Sequence, residues 1–466
     1  MAEQARRAAS RVLLSAARLG CTVLAVGSGA VPRAFAGEAF QEQVDTWFPS
    51  REDPFPPPPQ KNKRPCTYSV ELTDPPSMLP RTTAGEASAI SKLASMKVVL
   101  LGCHLYTPTT LSLYSKNATA PTSQYSDVAL VVSLVRRMAK SNPNLVIGLD
   151  NVAATTKSAE ILQRYLSTAQ TRGSGEEVEA TLAELSSDGL LVNSLQAAAS
   201  NTAAAPPRAA DTNMLRALLP VARELGLAVR PLALPPAVQK TLLTEGLDGI
   251  KGGMGELLPD PEGFVASVQG EGFGRYTNSV VKQDYSAVIS GAVGGGAEAG
   301  AGGGSKVPVS GEKYFSNRIL LDETLASRIV GSLRGGQQVA AAGPLVVVTD
   351  LSRIRFGYGL VERVKRLLLL PTTTTSSETT AIVTAVPDSA DVVSVLLNPT
   401  ADDSLSLSNQ LRLSLGYGVF LPASRPLADY VWFTSSPPSR VITKAKNPIS
   451  REGDRPAGES SVLGAF

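Results

Sequence analysis

The chain of 466 residues contains a single histidine, His104. One imidazole excludes a two-histidine zinc centre and any catalytic pair of histidines. Cysteine is nearly as scarce. Cys21, Cys66 and Cys103 are too far apart for a paired-cysteine metal site and too few for a disulfide framework. A reducing or plastid-like compartment is compatible with that count. Aromatic residues make up 5% of the chain, and no dense basic stripe interleaves with them. No nucleic-acid partner is expected. Neither sign of charge is in excess: 44 Lys and Arg stand against 41 Asp and Glu, a net charge of +3. No uncharged apolar run reaches the roughly 20 residues that a spanning helix needs. No Walker-type loop and no serine in a G-x-S-x-G elbow are present. GEGFGR, residues 270–275, has dinucleotide-like glycines, but it neither follows a predicted strand nor opens a predicted helix.

A hydrophobic content of 43% is ample for a large core. The first 37 residues carry Arg6, Arg7, Arg11, Arg18 and Arg33 against one acid, Glu3. They also contain the short apolar stretch LGCTVLAVGSGAVP and a small-residue AFA at Ala34–Ala36. This pattern reads as a cleaved targeting peptide, with the Ala, Ser and Arg content of an organelle transit sequence; the alternative is a fraying amphipathic helix. Residues 38–94, with WFPSREDPFPPPPQKNKRP and SVELTDPPSMLPR, predict a proline-stiffened extended linker. Three tracts, 197–211, 291–306 and 372–380, are too rich in small or polar residues to offset their ordering entropy. They read as surface loops inside one domain spanning about 95–440, with a disordered tail at 441–466.

Between the loops, strand and helix patterns alternate. KVVLLG, LVIGLD, LAVRPLAL, GPLVVVTD, AIVTAVP and VVSVLLNP read as strands. YSDVALVVSLVRRMAKS places Val128, Val131, Val132 and Val135 at helical spacing. AEILQRYLS, MLRALLPVARELG, PPAVQKTLLTEGLDG and DETLASRIVGSLRGG read as further helices, with a kink or a helix start expected at Pro220. The alternation predicts an α/β fold with a mainly parallel sheet flanked by helices.

In a parallel sheet the C-terminal strand ends share one edge, where ligands bind. His104 follows KVVLLG, Asp150 closes LVIGLD and Asp350 closes GPLVVVTD, with Arg353, Arg355 and Tyr358 just beyond. His104 is a candidate base, metal or haem ligand, or a structural hydrogen bonder. Cys103 is a candidate soft ligand, though isolated cysteines are more often packing residues. Asp150 and Asp350 are candidates to bind a cation or orient His104, or to cap a helix or turn. Arg353 and Arg355 have the fork geometry for ligand carboxylates, or are solvated charges. Tyr358 sits in GYG, where glycines let backbone approach a ligand, or in an ordinary turn.

In this order the segments resemble the ChaN-type haem-binding family of the haem-uptake and Tiki superfamily. KVVLLGCHLY is similar to its opening strand, which ends in an acid and a histidine. NLVIGLD and AEILQRYLS are similar to its second strand and helix. The longest match is LLPVARELGLAVRPLALPPAVQKTLLTEGLDGI, residues 218–250. ILLDETLASRIV and LVVVTDLSRIRFGYGLVERVKR resemble the closing block. LADYVWFTSSPPSRVITKAKNPIS resembles plant and algal chloroplast proteins in which such a domain precedes a Reticulata-type membrane domain. That resemblance implies a chloroplast location and a membrane-associated plastid partner.

The departures from the family pattern narrow what the resemblance implies. The first-strand glutamate is missing, with Cys103 near its place and His104 shifted by one residue. The glutamate after the second strand is Asp150, and the histidine of the closing block is Arg353. One histidine with aspartates suits hard cations better than zinc. The resemblance therefore implies non-catalytic binding of haem or a related tetrapyrrole. His104, Tyr106 or Tyr358 would supply an axial ligand, Asp150 would lie at the rim, and Arg353 and Arg355 would meet propionates. Two alternatives are a degenerate metal-assisted hydrolase of the Tiki or erythromycin-esterase-like class, and a plastid scaffold with a decayed pocket.

Overall fold

The computed structural model describes residues 66–71, 77–80, 83–105, 122–168, 174–192, 209–245, 249, 257–269, 271–282, 285, 310–334, 343–370, 391–400, 402–404, 411–415, 425–434 and 441–442. The targeting segment, the tracts 291–306 and 372–380, most of 197–211, the predicted strand AIVTAVP and Tyr106 lie outside the described residues.

The chain begins with β1 (Cys66–Glu71), β2 (Ser77–Pro80), α1 (Thr83–Ser95) and β3 (Val98–Cys103). Next come α2 (Thr122–Ser141), β4 (Val146–Ala153), α3 (Thr156–Ser167), α4 (Ser174–Ser187), α5 (Ala209–Glu224) and β5 (Ala228–Ala233). The middle is helical: α6 (Pro236–Glu245), α7 (Pro261–Gln269), α8 (Glu271–Tyr276), a π-helical turn at Thr277–Val281, and α9 (Gly311–Arg334). The closing part contains β6 (Leu345–Asp350), the short α10 (Leu351–Ile354), α11 (Leu360–Leu369) and β7 (Val392–Leu397). It ends with β8 (Leu411–Arg412), β9 (Ser414–Leu415), β10 (Arg425–Pro426), β11 (Tyr430–Phe433) and β12 (Val441–Ile442).

Eight strands form one sheet in the order β2-β1-β11-β7-β3-β6-β4-β5. Every neighbouring pair from β11 to β5 is parallel, while β1 runs antiparallel to both β11 and β2. The α/β class with a mainly parallel sheet is therefore as the alternation predicts. The central strands are near-continuous aliphatic runs because both of their faces are covered. Leu100, Val347 and Leu396 pack on one face with α9 and α11. Leu101, Val348 and Leu397 pack on the other with α1, α2 and α5. Pro231 stands in β5, at the edge of the sheet, where a missing N–H is tolerated.

Three expectations are corrected. The 38–94 linker gives way at Cys66, since β1, β2 and α1 belong to the folded unit; local proline density did not outweigh pairing of β1 with β11. Of the kink or helix start expected at Pro220, the start is not found: α5 begins at Ala209 and contains Pro220. Leu215, Leu218, Leu219 and Ala222 are all buried along it, and that packing offsets a proline cost of about 3 kcal/mol. Gly272 and Gly274 of GEGFGR lie in α8, although that helix follows α7 rather than a strand.

Helix α9 starts earlier than DETLASRIVGSLRGG predicted. Its 24 residues begin at Gly311, and residues 314–326 are buried on all sides. Over that stretch the helix has no solvent-exposed face, so its polar residues are buried with the apolar ones and the amphipathic period is lost. Asp322 and Glu323 sit in that sheathed stretch with no solvent exposure.

Candidate functional site

The parallel register aligns Cys103 with Asp350 and Gly102 with Leu396. The ends of β3, β6 and β7 therefore form one rim. His104 leaves the sheet there. Helix α2 places Asp127 on its inward side, one turn before the buried Leu130 and Val131. Oδ2 of Asp127 accepts the His104 backbone N–H at 3.1 Å and lies 2.8 Å from Nδ1 of the ring. On the opposite side of the ring, Oδ2 of Asp403 lies 3.0 Å from Nε2. The Thr400 N–H and hydroxyl donate to that same Asp403 oxygen at 2.7 and 2.8 Å. Arg355 donates to the Asp403 backbone carbonyl at 2.7 Å.

Asn398 completes the arrangement. Its amide nitrogen donates to Oδ1 of Asp127 and to the Thr434 hydroxyl, and its Oδ1 accepts the Thr434 N–H at 2.8 Å. Asn398 takes a φ of 46°, a left-handed conformation that asparagine tolerates better than most residues.

This geometry fixes the charge on the histidine. Ionised carboxylates only accept hydrogen bonds, so an imidazole between two of them donates from both nitrogens and is cationic. Burial opposes that charge, but Asp403 and Asp127 outweigh it and hold the His104 pKa well above 6.5. Burial also works against the Asp403 carboxylate, yet His104 and Thr400 bring it down to about 2. A doubly donating imidazolium has no lone pair for a metal and takes no proton from a substrate.

A second network lies beside the first. Asp150, inside β4 rather than beyond it, accepts the Thr349 hydroxyl at 2.6 Å. Nε of Arg353 lies 3.3 Å from Asp150 and Nη1 lies 3.4 Å from Asp322. Tyr276 donates to Asp322 at 3.0 Å, and Arg318 pairs with it from one turn earlier on α9. Burial raises the Asp150 pKa against the pull of Arg353 and Thr349. Burial, reinforced by Asp322, pushes the Tyr276 hydroxyl up to about 12. A third group joins Glu323 to Arg363 and Arg366, with Arg366 also 3.4 Å from Asp260. The four acids in these two groups face four arginines, which balances their charge in the low-dielectric interior.

The sequence candidates thus divide between networks. His104 and Arg355 belong to the first, Asp150 and Arg353 to the second. Asp350 serves as a helix cap, its Oδ1 accepting the Ser352 N–H at 2.9 Å. Tyr358 is 6% exposed, with the Arg425 guanidinium 4.6 Å from its ring centroid. Cys103 is fully buried, its thiol 3.7 Å from the Thr349 carbonyl. Burial, then Asp127, Asp350 and Asp150, raise its pKa, so it stays a thiol and packs as one.

The expected orientation of His104 by Asp150 or Asp350 is not what forms; its partners are Asp127 and Asp403. Asp127 was detectable, since it falls on the apolar stripe of α2, four residues before Val131. Asp403 lies in the polar run NPTADDS and had no signal. Among the described residues no group of three or more His, Cys, Asp or Glu is placed to hold a metal ion. No helix among them is long and apolar enough to cross a membrane.

No family model matches the sequence. No curated protein matches it. Among solved structures the chain is similar to one described as cofacial heme binding to ChaN of Campylobacter jejuni. The identity is 12% and the TM-score 0.37, over 78% of this chain and 96% of that one. A likeness of that size leaves function to be argued from the residues of this chain.

Proposed function

We propose that this protein is a non-catalytic binding protein of the chloroplast whose ligand is haem or a related tetrapyrrole, taken at the C-terminal rim of the sheet. One observation carries the non-catalytic part: both ring nitrogens of His104, the chain's single imidazole, are taken by carboxylates, Asp127 on one side and Asp403 on the other. A group in that state is neither a general base nor a metal ligand. The metal-assisted hydrolase reading loses its central residue by the same geometry. The ligand class rests on the sequence resemblance, and the location rests on the Arg-rich, acid-poor first 37 residues.

The described residues do not fit iron coordination as they stand. His104 would have to leave a carboxylate to reach a metal. Tyr358 is buried beneath Arg425. Arg353 is engaged by Asp150 and Asp322 and Arg355 by Asp403, so a propionate would have to displace an existing partner. Apolar contact is the mode the rim supports. Cys103, Leu105, Leu397 and Trp432 belong to one buried core beneath it, so a flat macrocycle would meet apolar groups there only once they are uncovered.

Hemin titration of the full chain tests this reading. A Soret change that saturates at a fixed hemin-to-protein ratio supports it. A change that grows without saturation, as for hemin on an unrelated protein, contradicts it and favours the scaffold alternative.

A further inference from the structure

The geometry points to a clip, made of His104, Asp127, Asp403 and Asn398, that closes the strand rim over an apolar seat and must open to admit a ligand. The clip rests on the tetrapyrrole reading above only for the identity of what enters.

Three stretches of chain meet at His104: the end of β3, the early turns of α2, and the turn Asp402–Ser404 beyond β7. They are joined through side chains over sequence separations of 23, 299 and 271 residues. Contacts of this kind can be lost without unpairing a strand, which is what local opening requires. The sheet beneath stays held by the backbone ladders of β3 with β6 and β7.

Apolar residues adjoin the clip along the chain and across the β7–β11 pair. Cys103 precedes His104 and has no exposure, and Leu105 follows it at 7%. Leu397 precedes Asn398, whose N–H donates to the Trp432 carbonyl at 2.8 Å. Trp432 is itself 1% exposed. The clip therefore adjoins a buried core that contains a thiol, two leucines and an indole, and opening it is the route to that core.

Two further features mark the rim as a region held under constraint. Among the described residues, the non-glycine positions with positive φ are Phe356 and Asn398. Asn398 stands just beyond the end of β7 and is a member of the clip, while Phe356 follows α10. Backbone of this kind persists only where its surroundings hold it, and it clusters at ligand clamps and switches. Asn398 is held by Asp127 on one side and Thr434 on the other.

Cys103 supplies the reporter. The full chain is treated with N-ethylmaleimide, and labelling of Cys103 is followed peptide by peptide, separately from Cys21 and Cys66. In the wild type Cys103 is expected to react far more slowly than in urea. In His104→Ala and Asp403→Asn the rate should rise by about tenfold or more, the change that a 1.4 kcal/mol shift in an opening equilibrium produces, while circular dichroism stays native. Asp403→Asn keeps the shape of the side chain, so it carries the test if His104→Ala does not fold. Unchanged labelling in a folded variant overturns the clip. So does wild-type labelling as fast as in urea. Faster labelling in the variants without hemin binding upholds the clip and contradicts the tetrapyrrole reading. Hemin binding with unchanged labelling does the reverse.

Discussion

Nε2 of His104 and Oδ2 of Asp403 lie 3.0 Å apart across 299 residues of sequence. With Asp127 on the other ring nitrogen, this contact turns the end of the central strand into a junction of three chain segments. A junction of buried charges is balanced only while every member is present.

Removal of the ring is therefore expected to be costly. His104→Ala leaves two carboxylates facing each other at the rim, and the loss should be about 3–5 kcal/mol. Asp127→Ala should cost more than Asp403→Ala, because the Asp127 side chain is 2% exposed and that of Asp403 14%. Urea unfolding, with an unchanged denaturant slope, is the measurement.

The same ion pairs give a pH window. The folded pKa of His104 is raised above 6.5. Its contribution is fully present below 6.5 and is lost as pH rises through the folded value. Asp403 moves the other way, from 3.8 to about 2. Its contribution is present above 3.8 and is lost as pH falls toward about 2. Stability from this cluster should be flat between those limits. His104→Gln should remove the part of the alkaline decline that belongs to the histidine, which stability curves on both proteins will show.

Arg353 is expected to be essential to its network and replaceable within it. Arg353→Met alone leaves Asp322 to Arg318 and Tyr276 but strips Asp150, which is 3% exposed, of its cation, and should cost about 3–5 kcal/mol. Adding Asp150→Asn should recover part of that loss, since the stranded charge disappears. A double-mutant cycle measures the coupling.

Gly359 is expected to reject a side chain. A Cβ there would stand 2.4 Å from the Arg353 carbonyl oxygen and 2.9 Å from the Tyr276 hydroxyl. Gly359→Ala should destabilise by about 1–3 kcal/mol, from overpacking. Its thermal midpoint against wild type checks this.

The sheet was legible because β3, β6 and β7 are aliphatic runs that only a doubly covered sheet explains. The rim followed from the same rule, since parallel strands share an edge. Pairing at the rim was not legible. Asp403 reaches His104 through a turn whose sequence resembles any polar loop, and no local pattern announces a contact over 299 residues. The arginines failed for a related reason. Arg353 and Arg355 look solvated beside a strand end, yet both are buried, because Asp322 on α9 and the Asp403 backbone were waiting for them. Strands β1 and β2 were masked by the prolines around them.

The charge on His104 is the point on which binding and catalysis separate. Because the chain has one histidine, selective ¹⁵N labelling gives ring signals that need no assignment. At neutral pH both nitrogens should appear protonated, and they should remain so until well above the ordinary imidazole titration. A neutral ring that titrates near 6.5 would contradict the clamped cation and return His104 to the list of catalytic bases.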